Sequence, residues 1–573
     1  MRSLLIALAG LFTLSVAQAA HAYDLLIVNG AIYDGLGGAP YRGEVAINGD
    51  RIVYVGPHAP SREARRTLDA HGLAVAPGFI NMLAHPEESL MADGRALSDL
   101  AQGVTLEVMG EDSMGPVSDA VAALSEKREG DIRFAVDWRS LDQYFRKMEA
   151  KGISPNIASF VGAGTVRSDV LGEGDVQPSA EQLDHMRRLV HQAMEDGALG
   201  LTTALIYSPN GYAKTPELIA LAQESALCGG MYIAHMRSEG DRLLEAVDEE
   251  IAIARASGAP AEIYHLKESG KSNWYKLDPL IAKIEAARAA GVRITADMYV
   301  YTAGATGLDA AMPPWVQNGG LEAWIARMKD PAVRARVIAE MRSRPASWEN
   351  LYWHAGPDRT LLLAFKTEKL KPLTGMTLAQ AAKLRGESPE DTAVDLVIED
   401  GTRIGVAYFL MSEDNVRRQT TLPWVSFGSD EAAPAPEGVF LKANSHPRAY
   451  GNFAKVFATY VRADHALTTQ EAVRRLTSLP ADNLSLPDRG RLAAGAFADV
   501  VVFDPATIQD HSTYDKPHQL ATGVEDVIVN GGFALENGMA TGAHTGRAVR
   551  GRAWTGREGG GCKAAASDWT WHS

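Results

Sequence analysis

Three apolar segments, each closing on a side chain able to bind a metal or move a proton, constrain this chain more than any other feature. Met231-Tyr-Ile-Ala-His235, Ala261-Glu-Ile-Tyr-His265 and Val292-Arg-Ile-Thr-Ala-Asp297 read as strands, each preceded by a helical segment. The helix before His235 is read from Thr215 as N-cap, with Pro216 at the first helical position, to Leu227; the next two cover 241–256 and 276–290, and Gly229-Gly230, Gly258 and Gly291 end them. The 30 residues from His235 to His265 and the 32 from His265 to Asp297 are the length of a strand-helix unit, and apolar strands joined by helices predict a parallel sheet. Over roughly 400 residues the pattern predicts an α/β fold, a TIM-like (β/α)8 barrel whose strands present their C-terminal ends at one mouth.

Three further strand-like runs end in the same way, at His85, at Glu111-Asp112 and at Asp430. Histidines and carboxylates gathered at one mouth suit a divalent ion such as zinc, whose bound water is a nucleophile near neutral pH. His235 and His265 carry the most weight, because matched positions one unit apart are not produced by packing alone. Asp297 reads as a supporting residue, and His185, His191, His354 and His544 as surface or structural. No glycine-rich phosphate loop follows a strand and no Gly-x-Ser-x-Gly elbow occurs, which excludes nucleotide and serine-hydrolase chemistry.

Outside the barrel pattern, both chain ends carry short alternating strands with Asn-Gly and Gly-Asp turns, at 24–56 and at 490–531. They predict one small β-sandwich domain built from 23–75 and 485–550, flanking a barrel over 76–484, with a tail at 551–573. Residues 1–22 have the layout of a cleaved secretory signal, an apolar stretch followed by Ala-Gln-Ala-Ala-His-Ala. The expectation is an exported protein, periplasmic or secreted, with no membrane segment after cleavage. The formal net charge of −15 offers no footprint for nucleic acid, and two cysteines, Cys228 and Cys562, exclude a disulfide scaffold, leaving packing to hold the fold.

Ala76-Pro-Gly-Phe-Ile-Asn, Ala101-Gln-Gly-Val-Thr, Ala234-His-Met-Arg-Ser-Glu-Gly240, His265-Leu-Lys267, Asp297-Met-Tyr-Val-Tyr-Thr-Ala-Gly304, Gly428-Ser-Asp430, His446-Pro-Arg448, Lys516-Pro-His and Val527-Ile-Val-Asn-Gly531 occur in this order over nearly all of the mature chain. With these motifs the chain resembles the N-acyl-D-amino-acid deacylase (D-aminoacylase) branch of the amidohydrolase superfamily. The resemblance implies a metal-dependent barrel with a small β-domain, and hydrolysis of an N-acyl-D-amino acid to a carboxylate and a free D-amino acid. It implies His235 and His265 as zinc ligands and Asp430 as general base and acid. Arg448 would grip the substrate carboxylate, with Lys267, Tyr207 and Tyr299 as further contacts.

The chain departs from the family at two places. Leu83 stands where the family has the first histidine of His-x-His, leaving His85 alone. Glu111-Asp112 stands where a cysteine ligand is common, with Asp112 the ungapped match. Either carboxylate can replace a thiolate. One zinc per chain is therefore favoured over two. A long insertion at 307–385, with Trp315, Trp324, Trp348 and Trp353, is placed to act as a lid. The alternatives are another amidohydrolase activity, a dipeptidase or cyclic-amide hydrolase, and a binding protein that kept the barrel without catalysis.

Overall fold

The structure is a computed structural model and describes residues 21–344 and 347–567. The expected signal segment lies almost wholly outside the described residues. Among them no helix is long and apolar enough to cross a membrane.

Eight parallel strand positions follow one another around a barrel: Phe79–Asn81, Val104–Met109, Asn156–Ser159 continuing into Val161–Gly162, Gly200–Ala204, Met231–His235, Ala261–Ile263, Ile294–Met298 and Val425–Phe427. The pairing runs in two ladders, one over the first three positions and one from Val161 to the eighth strand. Phe160 links them along the chain, and Met82 N–H donates to Phe427 O at 3.3 Å across the other seam. Nearly every residue of these strands is buried, as expected where side chains fill the centre and helices cover the outside.

The strand Met231–His235 has the bounds read from sequence. The helix before it spans Thr215–Leu227 with Lys214, not Thr215, as N-cap. Thr215 Oγ1 donates instead to Glu249 Oε1 at 2.7 Å. Tertiary contact overrides the local capping preference here.

The two chain ends form one nine-stranded sheet, joined where Ala74–Pro77 pairs antiparallel with Val500–Phe503. Leu25, Val45, Val75, Val500 and Ile528, drawn from both wings, share one apolar cluster, so the sheet curls over its own core. Between the seventh and eighth barrel strands, Ala303–Gly307, Gly405–Phe409 and Thr360–Ala364 make a small antiparallel sheet, and helices including Gly320–Met328 and Pro331–Met341 pack beside it. Trp324 is buried in that packing, while Trp353 is 45% exposed.

One expectation is overturned. Cys228 and Cys562 form a disulfide across 334 residues. Packing alone therefore does not hold the fold: Val549 N–H donates to Ile157 O and Gly551 N–H to Gly197 O, and helix Cys562–Ser567 is stapled to the end of helix Thr215–Leu227. Two cysteines make no scaffold, yet one bond between distant segments is enough to anchor an end.

Candidate active site

His235 ends the fifth barrel strand and His265 lies two residues past the sixth. His265 has a left-handed backbone (φ +36°), and its N–H donates to Asp297 Oδ1 at 2.9 Å. The buried seventh-strand carboxyl thus holds the turn that aims the imidazole, the supporting place read for Asp297. The two rings stand 4.6 Å apart and nearly perpendicular.

Glu111, just past the second strand, reaches both. Its Oε1 lies 3.3 Å from His235 Nδ1 and 3.4 Å from His265 Nε2, and its Oε2 lies 3.2 Å from His85 Nε2. Burial raises the pKa of this carboxyl, but hydrogen bonds from His235, His265 and His85 outweigh it and hold the group well below the usual range. Two sets of potential ligands share it: Glu111 with His235 and His265, and Glu111 with His85 and Asp430. One carboxylate oxygen and two imidazole nitrogens match the donors of a three-ligand zinc site. His235 Nε2, buried and without a hydrogen-bond partner among the described residues, is an orphan on the ring's other side.

Asp112 is not brought into either set. Its backbone is left-handed (φ +57°), and its carboxylate accepts from Gly164 N–H and Asn210 Nδ2, the latter at 2.7 Å. Leu83 is fully buried among Ile80, Met82, Leu106 and Tyr264, and its carbonyl accepts from Asp430 N–H at 2.8 Å.

Asp430 also sits in a left-handed turn (φ +52°). Its Oδ2 is 2.8 Å from an Arg448 guanidinium nitrogen and its Oδ1 is 3.2 Å from His85 Nε2. Burial pushes this carboxyl up, and Arg448, His265 and His85 together bring it below its ordinary value. Arg448 is 1% exposed, approaches Glu431 at 3.5 Å and lies 4.4 Å from the centre of the Tyr299 ring. Behind this turn Asn81 Oδ1 accepts from Ser429 N–H at 2.8 Å, and Asn81 Nδ2 donates to Asp99 and Glu107, each at 3.1 Å.

Lys267 Nζ lies 2.7 Å from Glu239 Oε1 and 2.6 Å from His265 Nδ1. Glu239 is the residue that sequence reasoning passed over. It lies inside the Ala234–Gly240 motif four residues after His235, and that spacing beside a strand-end histidine was the available signal. Lys267 and the imidazoles hold its carboxyl far below the usual range against the effect of burial. Its backbone N–H donates to Glu349 of the insertion at 2.6 Å. Tyr207 packs edge-on against His235 and bonds Thr306, while the Tyr299 hydroxyl is buried beside Arg448. All ten residues expected from sequence line one cavity of about 1380 Å³ at the barrel mouth.

The family model described as "Amidohydrolase family" matches residues 66–534. N-acyl-D-glutamate deacylase of Alcaligenes xylosoxydans xylosoxydans is 34% identical, over 89% of this chain and 93% of that protein. The crystal structure of N-acyl-D-glutamate deacylase from Bordetella bronchiseptica, complexed with zinc and a phosphonate mimic of the tetrahedral intermediate, superposes with a TM-score of 0.75 at 29% identity, covering 92% of this chain and 99% of that one. A D-aminoacylase structure concerned with its binuclear metal centre, with one-metal activation and second-metal attenuation, gives 0.75 at 29% identity over 92% and 100%. By the family match and by likeness over about nine-tenths of its length, this chain belongs to the amidohydrolase family, within its D-aminoacylase branch.

Proposed function

We propose that the protein is a zinc-dependent N-acyl-D-amino-acid deacylase, cleaving the amide bond to give a carboxylate and a free D-amino acid. The observation that carries this is the Glu111, His235 and His265 donor set beside the Asp430–Arg448 pair in one cavity at the barrel mouth. Glu111, His235 and His265 would hold zinc, which activates water and polarises a carbonyl when bound.

The chain's own groups supply the rest. Asp430, kept ionised by Arg448, takes a proton from the attacking water as its oxygen bonds to the acyl carbon. As the C–N bond breaks, the same carboxyl returns that proton to the departing nitrogen. His85, hydrogen-bonded to Asp430 Oδ1, orients the carboxylate. Arg448, Lys267 and the Tyr299 hydroxyl beside Arg448 form the pole that receives the substrate carboxylate, with Tyr207 across the site.

With Leu83 in the apolar core, the His85 side lacks one histidine, which supports one tight zinc per chain. The Cys228–Cys562 disulfide supports export, since such bonds persist in oxidising compartments. The test is a screen of N-acyl-D-amino acids against N-acyl-L-amino acids, dipeptides and cyclic amides. Selective hydrolysis of the D-series is expected, and preference for dipeptides or cyclic amides would replace this reading with another amidohydrolase activity.

A further inference from the structure

We propose that the arm of the cavity leading away from Glu111 is a binding site for an extended aliphatic acyl chain, so that the preferred substrates carry fatty acyl groups rather than acetyl. The inference rests on the deacylase reading above and concerns the half of the substrate that leaves as the carboxylic acid.

The cavity has room well beyond a short acyl group, and its lining is uneven. Its volume of about 1380 Å³ exceeds the roughly 300–1,000 Å³ usual for small-molecule sites. Its cations near the reaction centre, Lys267 and Arg448, follow the sixth and eighth strands. Glu111 follows the second strand, which lies opposite the sixth in a ring of eight. A substrate whose carboxylate meets Lys267 and whose amide lies over the Glu111, His235 and His265 group therefore sends its acyl tail toward the chain that continues from Glu111.

That chain faces the cavity with apolar side chains interspersed with Ser125, Arg128, Glu129 and Asp131. Val121 and Leu124, three residues apart on helix Asp119–Arg128, lie on one face of it, with Val117 before the helix and Phe134 after it, and Phe365 and Phe440 line the same cavity. Val121, Leu124 and Phe134 are only partly buried, apolar surface left against a cavity rather than packed away. Lys127, Arg128 and Asp131 of the same segment are engaged in ion pairs that tie it to the neighbouring elements, and Glu129 accepts from Phe134 N–H. Lys127 meets Glu322 at 2.9 Å, Arg128 meets Glu173 at 2.7 Å, and Asp131 meets Lys371 at 2.8 Å and Lys442 at 3.2 Å. The arm is thus clasped by ion pairs and lined in large part by hydrocarbon, with Glu87, Glu88 and Glu129 at its edge, and it is continuous with the reaction centre.

The experiment measures kcat/KM of the zinc-loaded enzyme on N-acetyl-, N-butanoyl-, N-octanoyl- and N-dodecanoyl-D-leucine, with N-acetyl-D-alanine and N-acetyl-D-norleucine as a side-chain series, and binding of N-octanoyl-D-leucine by calorimetry. Buried methylenes predict a gain of roughly fourfold each up to octanoyl. Leu124→Glu should cut the octanoyl-to-acetyl ratio at least tenfold, and the milder Val121→Ser should lower it severalfold. Equal turnover of acetyl and octanoyl compounds, or a gain confined to the side-chain series, overturns the acyl site. Tight octanoyl binding without hydrolysis of any N-acyl-D-amino acid overturns the deacylase reading alone, and neither binding nor hydrolysis overturns both.

Discussion

An Arg448 guanidinium nitrogen lies 2.8 Å from Asp430 Oδ2, an ion pair buried at the barrel mouth between the loop after the eighth strand and the start of helix Arg448–Lys455. The residue expected to grip the substrate is thereby also the one that keeps the general base charged. Its second acidic neighbour, Glu431, whose pKa burial raises, lies 3.5 Å from the same guanidinium.

Asp430→Asn should leave the fold and most of the zinc in place while turnover falls at least the roughly hundredfold typical of losing a general base. Steady-state kinetics on zinc-loaded protein check this, and near-normal turnover would sink the assignment. Arg448→Met should raise KM and lower kcat together, because it removes both the carboxylate contact and the charge that holds Asp430 ionised.

Metal analysis separates Glu111 from Asp112. Purified protein should carry about one zinc per chain, and Glu111→Gln or His235→Ala should lose it, since two remaining ligands hold the ion weakly. Asp112→Asn should retain zinc, because that carboxylate is occupied by Gly164 and Asn210. Zinc loss in the Asp112 variant alone would reassign the ligand.

Leu83 bears on metal count. Excess zinc should not activate the enzyme, because the His85 side lacks the family's additional histidine. A titration of activity against added zinc that climbs well beyond one equivalent would contradict the single-metal reading.

The disulfide should contribute to stability and not to chemistry. Cys562→Ser, or reduction of the wild type, should lower stability on the order of 2–4 kcal/mol through the freed C-terminal segment. Calorimetric Tm with and without reductant measures the loss, with zinc content expected unchanged. An unaltered Tm would show that the terminal segment is held by packing alone.

The buried Asp99–Asn81–Glu107 cluster predicts a pH dependence. Burial pushes Asp99 from 3.8 up to about 7, and Glu107 beside it is raised as well. A carboxyl raised in the folded state contributes stability that is complete below its unfolded value and is lost as pH climbs toward 7. Asp99→Asn, with zinc saturating, should therefore gain in Tm relative to wild type from pH 5 to pH 7.5. A constant difference across that range would reject the raised pKa.

Much of the fold was legible because it rests on local periodicity. Strand-helix units of about 30 residues, closed by His235, His265 and Asp297, set a parallel barrel and, through it, one mouth. The two β-rich chain ends were legible for the same reason, since alternation and Asn-Gly turns are local signals. What only the tertiary structure decided depends on side-chain direction and on contacts between distant segments. Glu111 and Asp112 are neighbours of the same chemistry, and a left-handed φ at Asp112 turns its carboxylate to Gly164, 52 residues on. Glu239 acquires a role only because Lys267 and His265 arrive from the next unit. Cys228 and Cys562, 334 residues apart, meet because the C-terminal segment runs back along the barrel. The local pattern determines which elements form; the close approach of their ends, which no local pattern encodes, determines which of the available groups become the site.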